Sequence, residues 1–151
     1  MQASISDSND IYEWRNDKLT RQMSSTPDII SWETHRDWYI NALTNPDCYI
    51  YIGYLNRNEK LGMCRFDIEI NKNFAEISIN INPNMRGNKL STKLLLLSIQ
   101  TFNKKLQLKL KAKIKKENKI SLRIFKECGF VLDREDNDFY HLVLLQRSYE
   151  Y

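Results

Sequence analysis

Over residues 106–115 the chain alternates without a slip, with Leu106, Leu108, Leu110, Ala112 and Ile114 set against Gln107, Lys109, Lys111, Lys113 and Lys115. Successive side chains of a strand point to opposite faces, so this run predicts a strand with one apolar and one cationic face. Its length suits a central position in a sheet. Helical patterns flank it, over residues 90–104 before it and 118–127 after it. Asn118 supplies an N-cap for the second helix, and Gly129 stands where a left-handed C-terminal residue is wanted. A strand carried between two helices points to one α/β domain.

The rest of the chain fits around this unit. Residues 11–21 read as a helix. Residues 31–43 read as another, with Trp32, His35, Trp38, Tyr39 and Ala42 at three- and four-residue spacings, and Thr26-Pro27-Asp28 breaks the chain between them. Residues 48–55 and 60–70 form a hairpin about the turn at 56–59. A third strand at 75–82 alternates Ile77, Ile79 and Ile81 with Glu76, Ser78, Asn80 and Asn82, and Pro83 ends it because proline cannot donate to a ladder. Residues 130–134 and 139–145 close the chain as a hairpin. The expected order is ααβββαβαββ, a single domain over residues 1–151.

Composition narrows the classes of function. The 151 residues are 42% hydrophobic and 28% charged, with Gly 4 and Pro 3, which excludes disordered and collagen-like chains. Lys and Arg number 23 against 19 Asp and Glu, and the net charge of +4 suits an anionic small ligand without requiring nucleic acid. Cys48, Cys64 and Cys128 are odd in number and lack any C-x-x-C pair, so neither a disulfide framework nor a zinc site is expected. The first residues carry no basic and apolar leader, and no apolar run could span a bilayer. A cytoplasmic protein is expected.

Residues 77–104 run strand, turn, helix, and a helix N-terminus presents unpaired N–H groups and partial positive charge that suit a phosphate. Arg86 adds a formal charge there. Such a connection is often only a connection, so its meaning comes from its sequence. Asn82-Pro83-Asn84-Met85-Arg86-Gly87-Asn88-Lys89-Leu90-Ser91-Thr92 resembles the acetyl-CoA loop of GCN5-related N-acetyltransferases, R/Q-x-x-G-x-G/A after a strand. The segment Asn118-Lys119-Ile120-Ser121-Leu122-Arg123-Ile124-Phe125-Lys126-Glu127-Cys128-Gly129-Phe130 resembles their second signature, N-x-x-S-x-x-x-Y-x-K-x-G-F. One helix and one strand separate the two, as in that family.

The resemblance implies the fold of that superfamily, a mixed, mostly antiparallel sheet flanked by helices. It also implies direct acetyl transfer from acetyl-CoA to a primary amine, without a metal. Acetyl-CoA would lie between residues 75–82 and 106–115, against the backbone of Ile79, Asn80 and Ile81. Its diphosphate would meet Arg86 and the amides of Gly87, Asn88, Lys89, Leu90, Ser91 and Thr92. Asn118, Ser121 and Phe125 would complete the cofactor site. The Ile81 N–H would polarise the thioester carbonyl, and Glu76 is the candidate base that takes the proton from the amine.

The chain departs from the family pattern in two ways. Lys89 and Ser91 replace the usual glycines, so the loop is expected to lack glycine's freedom at positive φ. Phe125 replaces a Tyr that often protonates the leaving thiolate, and a phenyl ring has no proton to give. That proton would come from water or from Tyr140.

Trp14-Arg15-Asn16-Asp17 and Ser31-Trp32-Glu33-Thr34-His35-Arg36-Asp37-Trp38 resemble the start of the branch that acetylates nucleotide-linked amino sugars, pseudaminic acid pathway enzymes included. That resemblance implies that Arg15 and His35 meet a nucleotide diphosphate. The acceptor would then be the 4-amino group of a nucleotide-linked deoxysugar in surface-polysaccharide biosynthesis. A peptide or ribosomal-protein N-terminal amine is the alternative acceptor. A non-catalytic acyl-CoA- or nucleic-acid-binding module is the alternative of a different class, motivated by Phe125, the altered loop and the lysines. Structural readings stand beside these: His35 as a satisfied core residue, Asn118 as an ordinary cap, and the lysine stripe as a solvated face. A homodimer is left open.

Overall fold

A computed structural model describes residues 1–69, 71, 73–87 and 89–145. The order is α1 (Ser8–Asn16), α2 (Lys18–Gln22), α3 (Trp32–Thr44), β1 (Cys48–Tyr54), β2 (Lys60–Glu69), β3 (Phe74–Ile81), α4 (Leu90–Asn103), β4 (Lys109–Lys115), α5 (Lys119–Glu127), β5 (Phe130–Glu135) and β6 (Phe139–Leu144). The six strands form one sheet in the order β1-β2-β3-β4-β6-β5. Every neighbouring pair is antiparallel except β3 and β4, which are joined through α4 and run parallel.

Two expectations change. The helix read over residues 11–21 is two helices, because Asp17 leaves the helical conformation and its carboxylate accepts the Thr20 N–H at 3.1 Å, capping α2. The strand read over 106–115 begins at Lys109. The Leu106 N–H bonds back to Phe102 O at 2.9 Å as part of the end of α4, so the alternation starts before the ladder does.

The two sheet faces are covered unequally. On one face α4 and α5 press Leu95, Ile99, Phe102, Ile124 and Phe125 onto Phe66, Ala75, Ile77, Leu110, Ala112, Ile114 and Leu142. Phe66 and Phe102 stack there with centroids 4.3 Å apart, and such buried aromatics are worth about 3–5 kcal/mol each when truncated. On the other face α1 and α3 cover β1 and β2 through Ile11, Trp14, Tyr39, Ala42, Ile50, Ile52 and Met63. The cationic side of β4 lies beyond this second layer, and β5 is exposed from Val131 to Glu135.

Candidate active site

The parallel ladder between β3 and β4 is short: Phe74, Ala75 and Glu76 pair with Lys109, Leu110 and Lys111, and nothing pairs beyond them. β3 continues to Ile81 beside β2, and β4 continues to Lys115 beside β6, so the sheet opens into a V. A cavity of about 1270 Å³ occupies this opening and runs under α1 and α2. Glu76, Ile79, Asn80, Ile81, Arg86, Gly87, Lys89, Ser91, Thr92, Asn118, Ser121 and Phe125 all border it, as do Arg15 and His35. Asn88 lies outside the described residues.

One wall of the cleft is main chain. Asn82 donates its N–H to Leu61 O of β2 at 2.9 Å. Donors on an antiparallel strand alternate sides, so Asn80 also faces β2 whereas Ile79 and Ile81 aim their N–H groups into the opening. Gly62 makes this close approach work. A Cβ there would stand 2.6 Å from Asn80 O and 2.9 Å from Ile81 Cα, and glycine removes the conflict. Sequence reasoning missed this residue; its one trace is a glycine inside a strand.

After Asn82, whose side chain accepts the Asn84 N–H at 3.1 Å, Pro83–Met85 make a short 3-10 turn. Gly87 has φ of +84° with no atom near its absent Cβ, so conformation rather than space requires glycine. Lys89 also takes the left-handed conformation, with φ 55° and ψ 12°. The loop therefore keeps the positive-φ geometry that the missing glycine was expected to remove. A lysine side chain there costs about 1–2 kcal/mol in strain. Among the described residues no side chain caps α4, and the first amides of a helix suit an anion. Leu90, its first residue, is half-buried and does not border the cavity.

Across the V, the Asn118 carboxamide oxygen accepts the Ser121 N–H at 3.1 Å and caps α5. Among the described residues its amide nitrogen makes no hydrogen bond, and Asn118 borders the cavity. Phe125 is buried and packs edge-on against Phe130 at 5.1 Å. Tyr140 does not border the cavity: it pairs with Ile114 on β6, with the Lys116 and Lys119 Nζ atoms 5.4 and 5.7 Å from its ring centre.

Arg86 is engaged differently from expectation. Its guanidinium pairs with Asp17 and reaches Thr20 Oγ1 at 3.0 Å, so it ties the loop to α2 rather than standing free at the helix terminus. Burial alone would raise Asp17, but the hydrogen bonds from Arg86 and Thr20 overcome this and hold its carboxyl below the usual range.

The other wall is side chain. Glu76 is exposed at the fork of the V, on the last pair of the ladder. Arg15 bonds through Nη2 to Thr26 O at 2.6 Å and Thr26 Oγ1 at 2.8 Å, while its buried Nη1 has no partner among the described residues. An unmet buried donor costs roughly 1–3 kcal/mol. Burial, then the nearby charges of Arg21 and Arg65, pull the Arg15 pKa down, yet an arginine stays charged at neutral pH. Arg65, Lys113 and Lys115 border the same region. The lysine stripe is thus in part a wall of the cavity, and not only a solvated face.

His35 is 2% exposed, inside a cage of Tyr12, Trp32, Trp38 and Tyr39. Its Nε2 donates to Ser8 O at 2.8 Å, with Ser8 Oγ at 3.2 Å. Burial lowers its pKa against the opposing effect of the Ser8 carbonyl, so the ring is neutral at pH 7. A neutral, buried ring already bonded to Ser8 makes a poor phosphate ligand, and its structural reading is the stronger one.

A sheet parted beside a helix N-terminus can receive an extended ligand that carries a phosphate group. Residues 2–131 match the family model described as "Acetyltransferase (GNAT) domain", and the chain belongs to the GNAT acetyltransferase family. Its acyl donor is acetyl-CoA. Among solved structures, the chain is similar to spermidine N-acetyltransferase from Vibrio cholerae in complex with CoA and spermine, with a TM-score of 0.85, 18% identity, and 97% and 94% of the two chains covered. It is also similar to a domain from Methanocaldococcus jannaschii DSM 2661, with a TM-score of 0.79, 20% identity, and 95% and 96% coverage. A protein put forward as a phosphinothricin N-acetyltransferase matches with a TM-score of 0.80, 19% identity and 95% of each chain. At these identities the likeness is one of fold. A search of curated protein sequences returns no match. The described residues contain no helix long and apolar enough to cross a membrane, and no group of His, Cys, Asp and Glu side chains that could hold a metal ion.

Proposed function

We propose that this chain acetylates the primary amine of a small anionic acceptor, a nucleotide-linked amino sugar, by direct transfer. The observation that carries this reading is the charge of the cavity lining, where eight Lys and Arg residues, Arg15, Arg65, Lys113 and Lys115 among them, stand against Glu76, Glu117 and Glu127. Such a wall attracts a phosphorylated acceptor and repels a polyamine.

The cleft fits a CoA thioester. The unpaired Ile79 and Ile81 N–H groups, the Gly87 turn and the uncapped start of α4 offer donors in the order that a pantetheine arm and a diphosphate require. Gly87, Lys89, Ser91 and Thr92 would hold the diphosphate, with Asn118 and Ser121 on the opposite wall. Arg86 would join them on release from Asp17. When bound, acetyl-CoA supplies the activated acetyl group.

The Ile81 N–H polarises the carbonyl to be attacked, a fixed donor placed where charge develops. Glu76 removes the proton from the acceptor amine, directly or through water. Phe125 gives the sulfur an apolar wall, and with Tyr140 outside the cavity the departing thiolate takes its proton from water. A thiol with pKa near about 8.5 leaves tolerably without a dedicated acid. Burial pushes the chain's own thiols up, Cys48 and Cys64 to about 12 and Cys128 to about 11. None offers a thiolate for a covalent relay at neutral pH, which supports direct transfer.

A thiol-release assay over nucleotide-linked amino sugars, short peptides and spermidine tests the acceptor. Turnover restricted to the sugar nucleotides is the expected result. Faster turnover of peptides or spermidine would overturn it.

A further inference from the structure

The cationic wall has a more specific geometry than its net charge. We propose that Arg15, Arg65 and Lys113 form the binding site for a diphosphate on the acceptor, with Trp38 holding the Arg65 guanidinium in position. The site goes beyond the Arg15 and His35 pair implied by sequence resemblance, because His35 is spent on Ser8 while two residues distant in sequence take its place.

Thr26 fixes one edge of the Arg15 guanidinium with two hydrogen bonds and leaves the buried Nη1 without a partner. Arg65 rises from β2 beside Ser78 of β3. Its Nε donates to Asp67 Oδ2 at 2.8 Å, and its Cζ lies 5.3 Å from the centre of the Trp38 ring. That stacking and that single bond fix the plane of the fork and leave its two terminal groups for another anion. Lys113 borders the same cavity from β4, its Nζ 4.2 Å from the Phe139 ring centre and without a carboxylate partner among the described residues. Arg15 and Arg65 border one cavity, and after burial and Arg21 the charge of Arg65 adds to the lowering of the Arg15 pKa. An anion bridging two guanidinium groups and an ammonium would relieve that repulsion and satisfy the orphaned donor. A diphosphate presents acceptor oxygens on both sides, as a clamp with two walls requires. Glu76, at the fork of the V, would then face the amine end of the same molecule.

The proposal rests on the amine-acetylating reading only for the identity of the acceptor, and the anion site can be tested without turnover. Inorganic pyrophosphate and UDP are titrated calorimetrically into protein saturated with CoA, so that the cofactor's own diphosphate site is filled. One molecule of pyrophosphate is expected to bind per chain, with binding weakened at least tenfold in Arg65→Gln and in Lys113→Gln. Arg65→Lys should fall between, because it keeps the charge and loses the fork. UDP should show the same losses, and CoA affinity in each variant, unchanged, reports an intact fold. Pyrophosphate failing to bind the CoA-saturated protein, or binding both Gln variants as it binds the unaltered chain, would overturn the site. If no nucleotide sugar turns over while pyrophosphate still binds through Arg65, the acceptor assignment falls and the anion site stands.

Discussion

The two walls of the cleft are built from different materials. The wall proposed for the cofactor is mostly backbone: the free edge of β3 at Ile79 and Ile81, the left-handed Gly87 and Lys89, and the start of α4. The wall proposed for the acceptor is mostly side chains, with Arg15, Arg65, Glu76 and Lys113 arriving from α1, β2, β3 and β4. A backbone wall tolerates substitution as long as the conformation persists, which is how Lys89 can occupy a glycine position. A side-chain wall changes its ligand with each residue. One fold can therefore keep its acyl donor and exchange its acceptor.

The largest effect should come from removing Glu76, the proposed base, from the side-chain wall. Glu76→Gln is expected to lower kcat by about 10²–10⁴-fold while CoA binding measured by calorimetry stays the same. Loss of both together would mean that the walls are not separate. Next is the hidden support of the backbone wall. Gly62→Ala drives a Cβ into Asn80 O and Ile81 Cα, so denaturant unfolding should show a loss of about 1–3 kcal/mol, and CoA affinity should fall with it.

A smaller effect concerns the frame beneath the acceptor wall. The His35 pKa is lowered in the folded protein, so the unfolded chain binds the extra proton first. The contribution of His35 is present above its ordinary value near about 6.5 and fades as pH falls from there toward the folded value. Thermal unfolding should show this slope, no steeper than about 1.4 kcal/mol per pH unit, between neutral and mildly acidic pH. His35→Gln should flatten it. The smallest effect tests tolerance: Lys89→Gly should raise stability by about 1 kcal/mol by relieving the left-handed lysine, and leave CoA affinity within about twofold since the loop shape is already present.

The same contrast explains what could be read without coordinates. Strand alternation and helix spacing place the elements, and their order implies the crossover from β3 through α4 to β4. Asn16-Asp17 carried a cap signal inside a helical pattern, and the apolar period concealed it. Leu106 and Leu108 continue an alternation that the ladder with β3 joins only at Lys109, so periodicity alone extends β4 too far. The backbone wall was legible because Arg86, Gly87 and Asn118 sit in compact sequence motifs. Arg65 and Lys113 were not: nothing local links a charge within β2 to one lysine among several on β4, and the fold brings them to one cavity. The Arg86 to Asp17 pair is a similar long-range fact, joining residues from two separate motifs.

The central claim is that the unpaired edge of β3 receives the acyl donor. Residue-resolved amide hydrogen exchange, followed by NMR with and without acetyl-CoA, measures this directly. Exchange at Ile79, Ile81 and the first amides of α4 should slow on binding, while Asn80, already facing β2, should change little. Unaltered exchange at Ile79 and Ile81 in protein shown to have bound acetyl-CoA would contradict the account.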